Sequence, residues 1–366
     1  MNTKFLLAGV SAIAIAAAAS SANAASHKVA EQIDALSKKV EGMSDSFAKK
    51  GVKGASLTVS GQVNRAVLYL DDGNNAVITN VDSDASSTRF RWKASAPMSN
   101  GMKAGALIEI ENGSNRLSGK GVNNNDDSDD GNNGGVAQRF LRARHFDVWV
   151  AGGFGKISMG QGSTASDGVL HANYMHVGLA DINFEPLGGL PVTGIASFGD
   201  GGREDRVRYD TPSFGGAKLG ISYANEGHVQ ATARYAGKIG SALRLDARIS
   251  YEAADQEADI IAGSAGINAS GFQVTVAAAH NDGGVGGNEN FFYGVQVGYT
   301  GKLTSMGNTG FGAQYLQNGS TRKTLAFGVT QDLAPGTTAY ASLRFSDEQA
   351  TGDESTAGLV GMRVRF

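Results

Sequence analysis

From Leu57 onward, apolar and polar side chains alternate with a period of two, the period at which a β-strand places them on opposite faces. In "LTVSGQVNRAVLYL", Leu57, Val59, Val63, Val67 and Tyr69 share one face, and Thr58, Ser60, Gln62 and Asn64 the other. "LRLDARISY" sets Leu243, Leu245, Ala247, Ile249 and Tyr251 against Arg244, Asp246, Arg248 and Ser250. The alternation predicts sixteen strands, near 57–70, 87–97, 102–111, 139–151, 155–162, 203–213, 217–226, 229–239, 243–254, 259–269, 272–281, 290–301, 308–317, 322–332, 337–347 and 355–366. The last, "VGMRVRF", opposes Val360, Met362, Val364 and Phe366 to Gly361, Arg363 and Arg365.

Residues 26–50 follow a different period. Val29, Ile33, Leu36, Val40, Met43 and Phe47 are spaced 4, 3, 4, 3, 4, the seam of a coiled coil. A lone helix of this length is marginal in water, so it pairs with copies of itself or lies on another surface. "KKGVKGAS", Lys49 to Ser56, ends it with two glycines. Upstream, Lys4, the run "FLLAGVSAIAIAAAAS" and "ANA" at Ala22 to Ala24 read as a secretory signal peptide cleaved before Ala25. The expected organisation is a signal peptide at 1–24, a periplasmic helical coiled-coil segment at 25–50 and a strand domain at 51–366.

After the leader, no stretch approaches the ~18 apolar residues of a membrane helix. Alternating strands cross a bilayer in another way. Closed into an antiparallel barrel, they turn the apolar face to lipid and the polar face to an aqueous interior. A hydrophobic content of 41% fits, because alternation dilutes the apolar residues. With 52 Gly and only 5 Pro the chain favours strands and turns over disorder. A one-residue slip of 243–254 would turn Arg244 and Arg248 toward lipid, at ~2–4 kcal/mol each near the midplane, so register is strongly fixed. Tyr69, Tyr251, Phe291, Tyr299 and Phe366 fall toward strand ends, as interfacial girdles require. One connector is out of scale: 163–202 carries Phe184, Leu187, Leu190, Ile195 and Phe198, a composition for packing rather than disorder.

Candidate reaction chemistry is sparse. Without Cys there is no disulfide, thiol nucleophile or thiolate metal site. A net charge of −3 gives no basis for binding nucleic acid. His171 and His176 are five apart rather than four, and read as polar loop residues rather than metal ligands. "DDSDDG" begins like a calcium loop but reaches Ala137 at the twelfth position, where that loop needs Glu. No GxSxG occurs. No catalytic residue, metal site or cofactor is expected.

"VSGQVNRAV", "SSTRFRWKASAPMSNGMKAGALIEIE", "GGFGKISMGQGST" and "DRVRYDTPSFGGAKLGISY", in this order and with a terminal Phe366, resemble the Gram-negative general diffusion porins over residues 55–366. The resemblance implies an all-β, sixteen-stranded antiparallel transmembrane barrel in the outer membrane, usually a homotrimer. Its third loop, here 163–202, would fold into the lumen, and ions and small hydrophilic solutes would diffuse through passively. Phe366 would be the assembly signal read by the barrel assembly machinery. Acids on the third loop would face a basic wall across the pore. The loop candidates are Asp167, Asp181, Glu185 and Asp200; the wall candidates are Arg65, Arg89, Arg91, Lys93, Arg142, Arg144, Arg206 and Arg208. Arg89, Arg91 and Lys93 alternate with Phe90, Trp92 and Ala94, and Arg206 and Arg208 with Val207 and Tyr209, so these bases are lumenal if the aromatics meet lipid. The chain departs from the family at 26–50 and at Gln161, where many members are basic. In a trimer the 26–50 helices would meet beneath the barrels as a three-helix coiled coil. The alternatives are an outer-membrane barrel enzyme with a Ser or Asp and a His at one rim, and a barrel whose helix tethers the membrane to peptidoglycan.

Overall fold

The structure, a computed structural model, describes residues 54–112, 141–172, 178, 180, 202–253, 259–283, 290–319, 322–348 and 353–366. The expected leader and coiled-coil seam (Val29, Ile33, Leu36, Val40, Met43, Phe47) lie outside the described residues, as do Asp181, Glu185 and Asp200.

The strands are β1 (Ser56–Asp71), β2 (Ala76–Asp82), β3 (Arg89–Pro97), β4 (Lys103–Asn112), β5 (Leu141–Gly152), β6 (Gly155–Ser163), β7 (Arg203–Asp210), β8 (Ala217–Ala224), β9 (Val229–Ile239), β10 (Leu243–Ala253), β11 (Ile260–Ala269), β12 (Phe272–Asn281), β13 (Asn290–Gly301), β14 (Thr309–Asn318), β15 (Arg322–Ala334), β16 (Thr337–Glu348) and β17 (Asp353–Arg365). From β3 to β17 each strand pairs antiparallel with the next in sequence, and β17 returns to β1 over Gln62↔Arg365 to Asp71↔Thr356. The barrel is therefore closed.

Seventeen segments occupy sixteen positions. The outer half of β1 pairs with β2 (Arg65↔Asp82 to Asp71↔Ala76), and its inner half with β3 (Ser56↔Ser95 to Gln62↔Arg89). β2 and β3 are one barrel strand broken at 83–88 by a 3-10 turn, Asp84–Ser86. The sequence reading begins this strand at 87 and misses β2. Val77 and Ile78 break the alternation, and "DSDASS" reads as a plain loop.

The two faces separate as the alternation predicts. In β1, Gln62, Asn64, Ala66, Leu68 and Leu70 are buried inside, whereas Val59, Val63, Val67 and Tyr69 are exposed outside. Aromatic pairs girdle both ends: Phe272 against Tyr299 (4.7 Å between ring centres) at one, Phe291 against Tyr293 (5.9 Å) at the other.

The apolar clusters that do exist lie inside the barrel and hold the third loop. Val169 and Leu170 pack on Ile260, Ala262, Ala277, Ala279, Phe292 and Leu316. Ala180 packs across the lumen on Ala66, Leu68, Leu70, Tyr340, Ala357 and Leu359. Described residues of the loop that leaves β6 thus rest on the β11–β14 wall at Val169 and Leu170, and on the seam between β1 and β17 at Ala180.

Candidate functional site

The site is the inner wall together with two chain segments folded against it. Strand parity turns Arg89, Arg91 and Lys93 of β3 inward and Phe90 outward. Opposite them, Glu109 and Glu111 of β4 alternate with Ile108 and Ile110, so both carboxylates are lumenal. Glu109 accepts from Arg89 Nη1 (3.2 Å), Arg91 Nε (2.5 Å) and Arg144 Nε (2.8 Å). Glu111 accepts from Arg144 Nη1 (2.5 Å) and Ser87 Oγ (2.6 Å), with Arg142 Nη1 3.8 Å away.

Arg142 and Arg144 both reach these acids because of a β-bulge. Ala143 pairs with Ile110 and His145 with Glu109, which leaves Arg144 as the extra residue. Downstream of the bulge, His145 and Asp147 continue on the inner face. The stacking of charges has a direction. Glu109 is 1% exposed, whereas the side chains of Arg91 and Arg142 are 46% and 49% exposed. The carboxylates lie at the wall and the guanidinium groups lie between them and the water.

A second set of arginines grips the root of the third loop. Arg206 pairs with Asp147 (2.7 Å) and donates to Ser163 O and Gly160 O. Gly162 makes room, since a Cβ there would lie 2.7 Å from Arg206 Nη2. Arg208 pairs with Asp210 (2.8 Å) and donates to Thr164 O (2.5 Å). Arg234 donates to the carbonyls of Ala165 and Asp167, and Arg248 to that of Gly168. The loop then follows the wall: Ala165 N donates to Ser222 Oγ, Ser166 Oγ to Gln230, and Ala172 N to Ser264 Oγ. Thr275 Oγ1 donates to Ala172 O, which rests on the bare Cα of Gly266.

The second inward segment is the turn between β2 and β3. Gln62 Nε2 donates to Ser86 O (2.7 Å) and Ser87 O (2.8 Å), and Asn64 Nδ2 to Ser83 O and Ser86 O. Arg363 Nη1 donates to Ser86 Oγ (3.2 Å), and Tyr340 Oη to Asn64 Oδ1 (2.8 Å). These anchors all point inward, so the turn stands inside the barrel wall.

A sixteen-position barrel with a loop drawn through its lumen is joined by a match in sequence: the family model described as Gram-negative porin covers residues 11–351. The chain belongs to this family. It is an outer-membrane channel of a Gram-negative bacterium, through which ions and small hydrophilic solutes diffuse passively. Solved porins and channels share the fold. The anion-selective porin from Comamonas acidovorans is 19% identical with a TM-score of 0.61, covering 85% of this chain and 100% of that one. The outer-membrane channel DcaP of Acinetobacter baumannii is 15% identical with a TM-score of 0.59, covering 87% and 99%. The trimer form of OmpT from Vibrio cholerae is 14% identical with a TM-score of 0.56, covering 86% and 100%. A search of curated proteins finds no match.

Within this porin the expected bases are distributed unevenly. Arg89, Arg91, Arg142 and Arg144 converge on two acids, Lys93 stands exposed on the same inner face, and Arg206 and Arg208 bind the loop root. Arg65 departs from the expectation: it shares the outward face of Val63 and Val67 and donates to Asn80 Oδ1 (2.5 Å), with Asp82 3.8 Å away. Its odd number gives it the parity of the lipid-facing valines, so it is not a lumenal base. Asp167 sits at the loop root, 3.9 Å from Arg203. Sequence reasoning did not place Glu109, Glu111, Asp147, Arg234 or Arg248 among the pore residues. "ALIEIE" carries the signal for the glutamates, since each alternates with Ile.

Proposed function

We propose that this porin passes small anions in preference to cations, at a constriction between the third loop and the wall of β3–β5. One observation carries the reading: the acids of that wall are covered by arginines whose head groups reach the water. A charged wall in a narrow, low-dielectric pore raises the local concentration of the opposite ion. Asp181, Glu185 and Asp200 on the loop would offset part of the field, so the preference is weak. The reversal potential of the reconstituted protein in a KCl gradient tests this. A potential on the chloride side is expected; a cation-side value would refute the reading.

The assembly we infer is a homotrimer. A guanidinium facing lipid near mid-strand is disfavoured by ~2–4 kcal/mol, and the outward pair Arg65 and Asn80 favours a wall covered by a neighbouring copy. The related OmpT structure described as a trimer form supports the same arrangement. In this reading residues 1–24 are the leader, 25–50 form a helix beneath the barrel at 51–366, and Phe366 serves the assembly machinery. Three such helices held together by the barrels gain a high effective concentration, which favours a coiled coil over docking on peptidoglycan.

A further inference from the structure

Arg363 of β17 differs from five other inward arginines in having no carboxylate beside it. It is 8% exposed, and its Nε is buried without a hydrogen-bond partner. Arg89, Arg144, Arg206, Arg208 and Arg248 each have a carboxylate within salt-bridge distance. Arg363 has none among the described residues, and its one bond is to the neutral Ser86 Oγ. A buried guanidinium without a counter-charge is an unfavourable arrangement unless an anion completes it.

The space beside it is large enough for one. A cavity of about 560 Å³ opens between the β2–β3 turn, Gly178 of the third loop and the inner ends of β14–β17. It lies toward the end of the barrel that bears Phe366 and the connections 302–308 and 335–336, the periplasmic end if both termini of the barrel lie there. Its charged lining is Arg363, Arg365, Lys302 and Asp332, an excess of cations. The remaining polar lining includes Ser86, Asn308 and Thr338. Asp332 Oδ1 is already engaged by Thr338 Oγ1 at 2.8 Å.

We propose that this cavity is a solute-binding site for a hydroxylated carboxylate, with Arg363 as its anchor. The terminal nitrogens of the guanidinium meet the carboxylate, and charge-assisted bonds of this kind are the strong ones. Arg365 and Lys302 add attraction without fixing geometry. Hydroxyl groups along the solute meet Ser86, Asn308 and Asp332. A solute leaving the constriction would pause here before release, so the site lengthens residence on the periplasmic side. The site is separate from the β3–β5 arginines, four of which share the carboxylates of Glu109 and Glu111.

The inference rests on the channel reading, and the test keeps the two apart. The full protein is reconstituted in a planar bilayer in KCl, and gluconate is added on the side of Phe366. Gluconate should produce transient blockades in the wild type. Arg363→Gln should shorten their dwell time about tenfold, the change expected for loss of one charge-assisted hydrogen bond. Ser86→Ala frees the guanidinium from its only bond and should preserve or lengthen the dwell. Arg363→Lys, which keeps the charge and loses the fork, should fall between. An open channel in KCl shows that each variant has folded and inserted. No blockade of a conducting wild type, or equal dwell times in wild type and Arg363→Gln, would overturn the site and leave the channel standing. Absence of KCl conductance in the wild type would count against the channel itself.

Discussion

Gly61 and Phe366 close the barrel on each other. Gly61 N donates to Phe366 O at 2.9 Å, and Phe366 N donates to Gly61 O at 3.0 Å. The phenyl ring lies over the bare Cα: a Cβ on Gly61 would stand 2.6 Å from Cζ of Phe366 and 3.0 Å from the carbonyl oxygen of Arg89. Phe90 flanks the same ring at 6.0 Å, tilted by 54°. First strand, last strand and neighbouring strand therefore meet at one aromatic contact.

Filling that position should weaken closure. Gly61→Val is expected to lower the temperature at which the folded band converts to the unfolded one on an unboiled gel, by the equivalent of roughly 1–3 kcal/mol of overpacking. Phe366→Ala in the same chain should recover part of the loss, because the clash partner is gone. Strictly additive losses would show that the two residues do not share one contact.

The third loop should yield at its docking points. Gly266→Val pushes against Ala172 O, and Arg234→Ala with Arg248→Ala removes three bonds to loop carbonyls. Both changes are expected to raise single-channel conductance and current noise, since the loop narrows the lumen. Unchanged conductance and an unchanged solute cut-off would mean that these anchors do not hold the aperture.

Charge reversal on the wall should separate the exposed bases from the buried acids. Arg91→Glu with Arg142→Glu is expected to move the reversal potential toward cations while the barrel stays folded. Glu109→Gln should act on stability instead, because three converging arginines lose their shared carboxylate, a loss of about 3–5 kcal/mol for a broken buried pair. Equal effects of both changes on selectivity would contradict the layering of acid beneath base.

Self-association should depend on the outward face of β1. Arg65→Glu brings a carboxylate toward Asp82 and is expected to lower the temperature at which trimers separate on an unboiled gel. A cysteine replacing Leu36 should crosslink within the trimer, and deletion of 26–50 should leave conductance nearly intact. If Arg65→Glu left a fully stable trimer, Arg65 would lie outside the interface.

Much of this architecture is written in short-range alternation. Leu243 to Tyr251 fall on the faces their parity demands, and β11, with its small residues, forms within the expected 259–269. Arg65 shows the same rule from the other side. Its neighbours Val63 and Val67 already turn it outward, and only grouping by charge puts it in the lumen. The bulge at Arg144 is harder to foresee, because it depends on the register against β4. The inward turn at 83–87 is not local at all. Its anchors are Gln62 and Asn64, some 20 residues upstream, and Arg363, 277 residues from Ser86. No pattern within "DSDASS" encodes partners at that distance.

The break between β2 and β3 separates two properties that a barrel strand ordinarily joins. Elsewhere the hydrogen-bonded hoop of backbone sets both how strongly the wall holds and how much of the bore is open. At 83–88 the hoop is carried past the gap by β1, which pairs with β2 above and β3 below. The inserted residues hang inside mainly on side-chain anchors, with one backbone bond from Asn112 N to Thr88 O. Lengthening or trimming that insert would resize the opening while leaving the ring of strand pairings whole, so the gauge of the channel can drift between relatives at little risk to the wall that encloses it.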